Sequence, residues 1–108
     1  MPFKLSKSQT FRTTVTIESV DEKGRTQKET VQCTWARPTE EELDAYTGKE
    51  NKEALGKFLL NVEGMMDEDG NDVPYEGTYR DAFLSYSPAT FACAASFWQA
   101  ARMGRVKN

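Results

Sequence analysis

Histidine is missing from all 108 residues of this chain. Its absence excludes Ser-His-Asp and Cys-His nucleophilic centres and every metal site built on imidazole. Cysteine is scarce: Cys33 sits in a strand-like run and Cys93 in a helix-like run, each with apolar neighbours. With no secretion signal, two buried free thiols are expected rather than a disulfide. The seven glycines are scattered singly, so no glycine-rich loop is present to cradle a phosphate. A formal charge of −3 and a pI near 5.0 give no general pull toward nucleic acid or an anionic membrane. No apolar run reaches the length of a membrane span, and Met1-Pro2-Phe3-Lys4 has no signal-peptide core behind it. The expected location is therefore the cytoplasm. No cofactor is called for. Carboxylate chemistry alone would need a pocket that shifts a carboxyl group's titration, and the expectation is that the protein is not an enzyme.

The chain is organised around Leu59 to Tyr75, a very acidic stretch with short apolar flanks: Val62, Met65 and Met66 before it, Val73 after it. Asp69-Gly70 favours a tight turn because glycine accepts positive φ, so a hairpin-like loop between two helical segments is predicted. A calcium loop of the EF-hand type is not supported. Counting from Asp67 places Asp72 where the glycine belongs and Thr78 where the bidentate glutamate belongs; counting back from Gly70 places Met65 at the first ligand position. A solvated acidic turn is the expected reading.

Taken in order, residues 1–9 read as a polar arm with Phe3 and Leu5 able to dock. Phe11, Thr13, Val15 and Ile17 alternate with Arg12, Thr14, Thr16 and Glu18, a period of two that predicts a half-buried strand. After the Asp21-Glu22-Lys23-Gly24 turn, Val31, Cys33 and Trp35 share one face of a second strand, giving an antiparallel hairpin over residues 10–36. Two strands alone are marginal, so helices must cover the apolar side. Thr39 with Glu42 forms a capping box for a short helix carrying Leu43 and Tyr46 and stopping near Gly48. Leu55, Phe58, Leu59 and Val62 then fall at i, i+3, i+4 and i+7, which predicts an amphipathic helix to residue 62.

Beyond the acidic turn at 63–75, Thr78 is the expected cap of a helix whose inner face is Tyr79, Ala82, Phe83 and Tyr86. Ser87-Pro88 repeats the helix-start grammar, with Ser87 at the N-cap and Pro88 at the first helical position. The last helix is expected to reach Met103 and stop at Gly104, leaving a basic tail over 104–108. It carries more apolar surface than one buried face needs. Phe91, Ala94, Ala95 and Trp98 form one stripe; Cys93, Phe97 and Ala100 form another. Together they cover roughly 220° of the circumference, against ~100° for an ordinary surface helix. Either this helix is sandwiched between other elements, or one stripe meets another protein chain. The candidate partner contacts are Met65, Met66, Cys93, Phe97 and Ala100. The predicted architecture is a single α+β domain: an N-terminal antiparallel hairpin or small sheet packed against three to four α-helices. Its core is expected to hold Val15, Ile17, Val31, Trp35, Leu55, Phe58, Leu59, Phe83, Phe91 and Trp98.

The order Val62-Glu63-Gly64-Met65-Met66, then Asp67-Glu68-Asp69-Gly70-Asn71-Asp72-Val73-Pro74-Tyr75, then a helix, a Ser-Pro break, an Ala-rich helix and a terminal Lys107-Asn108, resembles phage tail assembly chaperones. The N-terminal strand pair ending at Trp35 also fits relatives that open with a β-rich segment closed by an aromatic residue. The likeness spans most of the chain by layout and residues 58–108 by motif. Met65-Met66 departs from the pattern, since many relatives carry an aromatic such as Trp there. The resemblance implies a non-enzymatic role in the cytoplasm of an infected cell or lysogen. Such chaperones bind the long, aggregation-prone tape measure protein, keep it soluble and help tail-tube subunits assemble around it. Two other readings stay open: a structural component of the phage tail, with self-association, and an unrelated cytoplasmic interaction module.

Overall fold

The computed structural model describes residues 9–107, with the side chains of 103–107 excepted. Two eleven-residue strands, β1 (Thr10–Val20) and β2 (Thr26–Ala36), pair antiparallel from Thr10↔Ala36 to Val20↔Thr26. Their alternation is the cause: Val15 and Ile17 on β1, and Val31, Cys33 and Trp35 on β2, all point to the covered face. Asp21 holds the connecting turn. Its Oδ1 accepts from the backbone N–H of Lys23 at 2.9 Å and of Arg25 at 2.8 Å, and Gly24 closes the turn at φ +81°. The predicted hairpin is thus present in full.

Helix α1 (Glu40–Tyr46) begins with the predicted capping box. The Thr39 hydroxyl accepts from Glu42 N–H at 3.2 Å, and the Glu42 carboxylate accepts from Thr39 N–H at 3.0 Å. Helix α2 (Asn51–Phe58) is shorter than predicted. It stops at Phe58, where Leu59 turns extended (φ −81°, ψ 108°), and the chain continues as a third strand, β3 (Leu59–Glu63). β3 pairs antiparallel with β2 through Cys33↔Val62, Thr34↔Asn61 and Trp35↔Leu59, completing a sheet of order β1-β2-β3.

The cause of that misreading is a β-bulge. Leu60 is the extra residue between Asn61 and Leu59, so two residues of β3 are spent on one step of β2. Leu59 and Val62 consequently face inward three residues apart, a spacing that imitates a helix, while Leu60 is half exposed. All four residues of the predicted stripe are buried. Only Leu55 and Phe58 are buried by a helix; Leu59 and Val62 are buried by a strand.

Helix α3 (Gly77–Ser85) starts one residue before the expected cap. Glu76 occupies the cap position without a side-chain hydrogen bond, so Thr78 does not cap. Helix α4 (Ser87–Lys107) follows after Tyr86, whose carbonyl accepts from the N–H groups of Ala89 and Thr90. That makes Tyr86, not Ser87, the first residue of the α4 cap. Pro88 still lies in the first turn, where a missing N–H leaves no bond unmade. α4 continues through Gly104 to Lys107, past the expected stop, because glycine permits a helix end without imposing one. Of the basic tail expected over 104–108, residues 104–107 are therefore helical; Asn108 and residues 1–8 of the polar arm lie outside the described residues.

The result is an α+β fold with an N-terminal hairpin: α4 lies on β1, α2 and α3 pack against α4 and each other, and α1 meets α2 through Tyr46 and Phe58. The contiguous core runs from Val15 and Ile17 through Trp35, Leu55, Phe58 and Val62 to Cys93 and Phe97. Phe97 is its hub. Its ring centroid lies 4.9 Å from Trp35, 5.0 Å from Phe58, 5.1 Å from Trp98 and 6.2 Å from Phe11. Trp35 donates its indole N–H to the Thr13 hydroxyl at 2.9 Å, which satisfies its one polar group inside the core.

Gly64 ends β3 at φ +103°, a conformation that L side chains rarely adopt. A Cβ there would also lie 3.4 Å from the Thr30 carbonyl oxygen. Gly64→Ala is expected to cost about 1–3 kcal/mol, read as a lower urea midpoint at unchanged slope. A midpoint equal to that of the parent chain would remove the backbone argument.

Candidate partner-binding surface

The acidic loop after Gly64 is built by its own first aspartate. Asp67 Oδ1 accepts from the backbone N–H groups of Asp69 and Asn71, both at 2.9 Å. The main chain closes the same ring: Asp67 N–H donates to Asn71 O at 2.9 Å, and Gly70 N–H to Asp67 O at 3.1 Å. Outside it, Met66 bridges antiparallel to Asp72, and Val73 N–H donates to Met65 O at 3.0 Å. This is the predicted hairpin-like loop, standing between β3 and α3 rather than between two helices. Asp67 is occupied in folding the loop. Among the described residues no group of three or more Cys, Asp or Glu side chains is placed to hold a metal ion.

The tight loop divides its two methionines. Met65 is half-buried against the core, whereas Met66 is 64% exposed. Across from them lies α3, whose predicted inner face is turned differently. Leu84 is its buried residue; Phe83 is half-buried, and Tyr79, Ala82 and Tyr86 are exposed. The reason lies in what α3 packs on. Tyr75, just before it, is buried and meets Phe83 edge-on at 5.9 Å. Arg80 sits over the Tyr75 ring at 5.6 Å. Burial holds the Tyr75 phenol above its ordinary pKa, with Arg80 pulling the other way, and its hydroxyl has no hydrogen-bond partner among the described residues. Anchored through Tyr75 and Leu84, α3 leaves Tyr79, Ala82 and Phe83 facing sideways, and Tyr86, expected on the same face, lies just past the helix end in extended conformation.

That stripe, the loop and the end of the sheet enclose an open groove of about 790 Å³. Ile17 and Val31 come from the sheet, Met65, Met66 and Val73 from the loop, and Tyr79, Ala82, Phe83 and Tyr86 from the α3 side. Among the described residues, Glu29 and Asp67 are its charged lining residues and no lysine or arginine lines it. Neither carboxylate is in an ion pair among the described residues. A smaller hollow of about 510 Å³ lies where α4 begins, lined by Thr16, Glu18, Ser87, Pro88, Phe91 and Ala92.

The five residues singled out from the sequence thus separate. Met65 and Met66 line the groove. Cys93 and Phe97 have no exposed surface at all, which corrects their assignment as partner contacts: that α4 stripe packs on the sheet. Ala100 is half-buried. The other stripe is split: Ala94 is buried, but Phe91, expected in the core, is 71% exposed and Trp98 only partly buried, as is Phe83 on α3. The excess apolar surface of α4 therefore exists, but Phe91 carries its outward part. Tyr79, Ala82 and Tyr86 were missed as surface residues because their helical spacing is that of a core stripe.

Cys33 and Cys93 are free and buried as predicted, with their sulfurs 3.7 Å apart. The hydrogen bond to Cys93 and burial both push the Cys33 thiol far above its ordinary pKa, so it stays protonated and unreactive. Among the described residues no helix is long and apolar enough to cross a membrane. Comparison of the chain with family models, curated proteins and solved structures finds no match.

Proposed function

We propose that this chain is a phage tail assembly chaperone, a non-enzymatic protein that binds the tape measure protein in the host cytoplasm and hands it to the tail-tube subunits. The observation that supports this reading is the groove beside the acidic loop. It presents methionine and tyrosine side chains in an open, apolar concavity, the kind of repackable surface that suits a long client with many similar helical segments. Most of its lining, from Gly64 to Ala89, comes from residues 58–108, the part of the chain whose motif order resembles the chaperone family, and the rest from the hairpin. The acidic loop and net negative charge would keep a coated client soluble through mutual repulsion.

Co-expression with the tape measure protein from the same tail gene cluster, followed by affinity capture and sizing, tests the reading. The expected result is a soluble complex whose client precipitates when expressed alone. A client that is soluble alone and never co-purifies, together with this chain assembling into rings or purified particles, would overturn it in favour of a structural tail component.

A further inference from the structure

We propose that the groove between the acidic loop and α3 binds a helix of the partner whose apolar stripe is flanked by lysine or arginine. This rests on the chaperone reading for who the partner is, but not for what the groove prefers.

A helical occupant follows from α3. Tyr79, Ala82 and Phe83 stand at i, i+3 and i+4, so α3 offers along one side a row of ridges that a second helix packs against, and Tyr86, the extended residue just past its end, lines the same groove. Ala82 is small and exposed, which leaves room beside Tyr79 and Phe83 for a partner side chain. Met66 faces this row from the loop and adapts its shape to that side chain. The volume of about 790 Å³ lies within the range of specific apolar sites.

The charge preference follows from the rim. Glu29 and Asp67 line the groove, Glu68, Asp69 and Asp72 are exposed on the same loop, and among the described residues no lysine or arginine is in the lining. An apolar stripe bordered by acidic residues would meet like charge on the sheet and loop side. One bordered by cations would meet opposite charge, and repulsion would reject the wrong helix as much as attraction selects the right one.

The probe is a labelled synthetic helix of ~18 residues, about five turns. It carries leucines at i, i+3, i+4 and i+7 flanked by lysines. It is compared with the same peptide bearing glutamates instead, and with one of the same composition whose leucines are dispersed. Binding to the full chain is read by fluorescence anisotropy. The lysine peptide should bind at least tenfold more tightly than either control, and its advantage should shrink as salt rises. The double variant Tyr79→Ala/Tyr86→Ala should weaken it at least tenfold, and Glu29→Gln several-fold. Phe91→Ala, outside the groove, should leave it unchanged. Equal binding of lysine and glutamate peptides, no binding, or indifference to the tyrosine double variant would each overturn the proposal. The two readings fail separately. A tape measure complex that survives the double variant while the peptide does not bind removes the groove assignment alone. Peptide binding in the groove without any tape measure complex removes the chaperone reading alone.

Discussion

Replacing Phe97 with alanine is expected to destabilise the chain by about 3–5 kcal/mol, the range for emptying a large aromatic from a packed core. Domains of this size are held by roughly 5–15 kcal/mol in all, so the variant should be largely unfolded or close to it at 37 °C. The size of the effect comes from position. Phe97 is fully buried and stacks at 5.0 Å on Phe58, against Trp35 at 4.9 Å and Trp98 at 5.1 Å, joining α2, β2 and α4 at one point. No neighbour can move into the space without breaking another ring contact, so the cavity stays open. Urea denaturation followed by tryptophan fluorescence measures it directly, since both tryptophans adjoin the cavity. A loss under about 1.5 kcal/mol would mean that the aromatic cluster collapses freely and that Phe97 is not its hub. Phe97→Asp, which would otherwise suggest itself as a surface test, would put a charge in this site and unfold the protein before reporting on any partner.

Trp35→Ala is expected to cost as much, again about 3–5 kcal/mol, through a different set of contacts. Trp35 stands on the central strand between Phe11 of β1 and Leu59 of β3 in register, and its indole N–H is bonded to Thr13 at 2.9 Å. Removing it empties the core and leaves the Thr13 hydroxyl without that partner. Because Trp35 and Phe97 touch, the two losses should not add. The double alanine variant should fall short of the sum by about 0.5–3 kcal/mol, measured in a double-mutant cycle by the same denaturation. Because both single variants sit near the limit of folding, the cycle is best run with Trp35→Phe and Phe97→Leu, where a milder loss at each site preserves the transition. Strict additivity there would mean that the two rings do not share one cavity.

Much of this fold is written in local pattern. The strict alternation of β1 and β2 over covered Val15, Ile17, Val31, Cys33 and Trp35 is enough to place the hairpin. Thr39 and Glu42 place the start of α1, and Asp67 to Asn71 place the loop, because caps and tight turns are satisfied by residues two to four apart. The candidate site was only half legible. Met65 and Met66 were found beside the acidic turn. Tyr79 and Tyr86 were not, since an apolar stripe on a helix looks the same whether it faces a core or a groove.

The α+β class, the hairpin and its turn, the capped first helix, the acidic loop and the burial of both cysteines were determined by sequence alone, each through interactions between near neighbours or a simple period. Three things were decided by tertiary structure. One is the end of α2 at Phe58: the bulge at Leu60 spaces Leu59 and Val62 as a helix would, and only pairing with Cys33 and Trp35 reveals a strand. Another is the face of α4, where two apolar stripes compete and the aromatic pocket of Phe11, Trp35 and Phe58 takes Phe97 while Phe91 is left outside. The third is the sideways stripe of α3, set by the anchoring of Tyr75 and Leu84. The common reason is that hydrophobic pattern records which residues avoid water, whereas the face they turn depends on what the rest of the chain places opposite them.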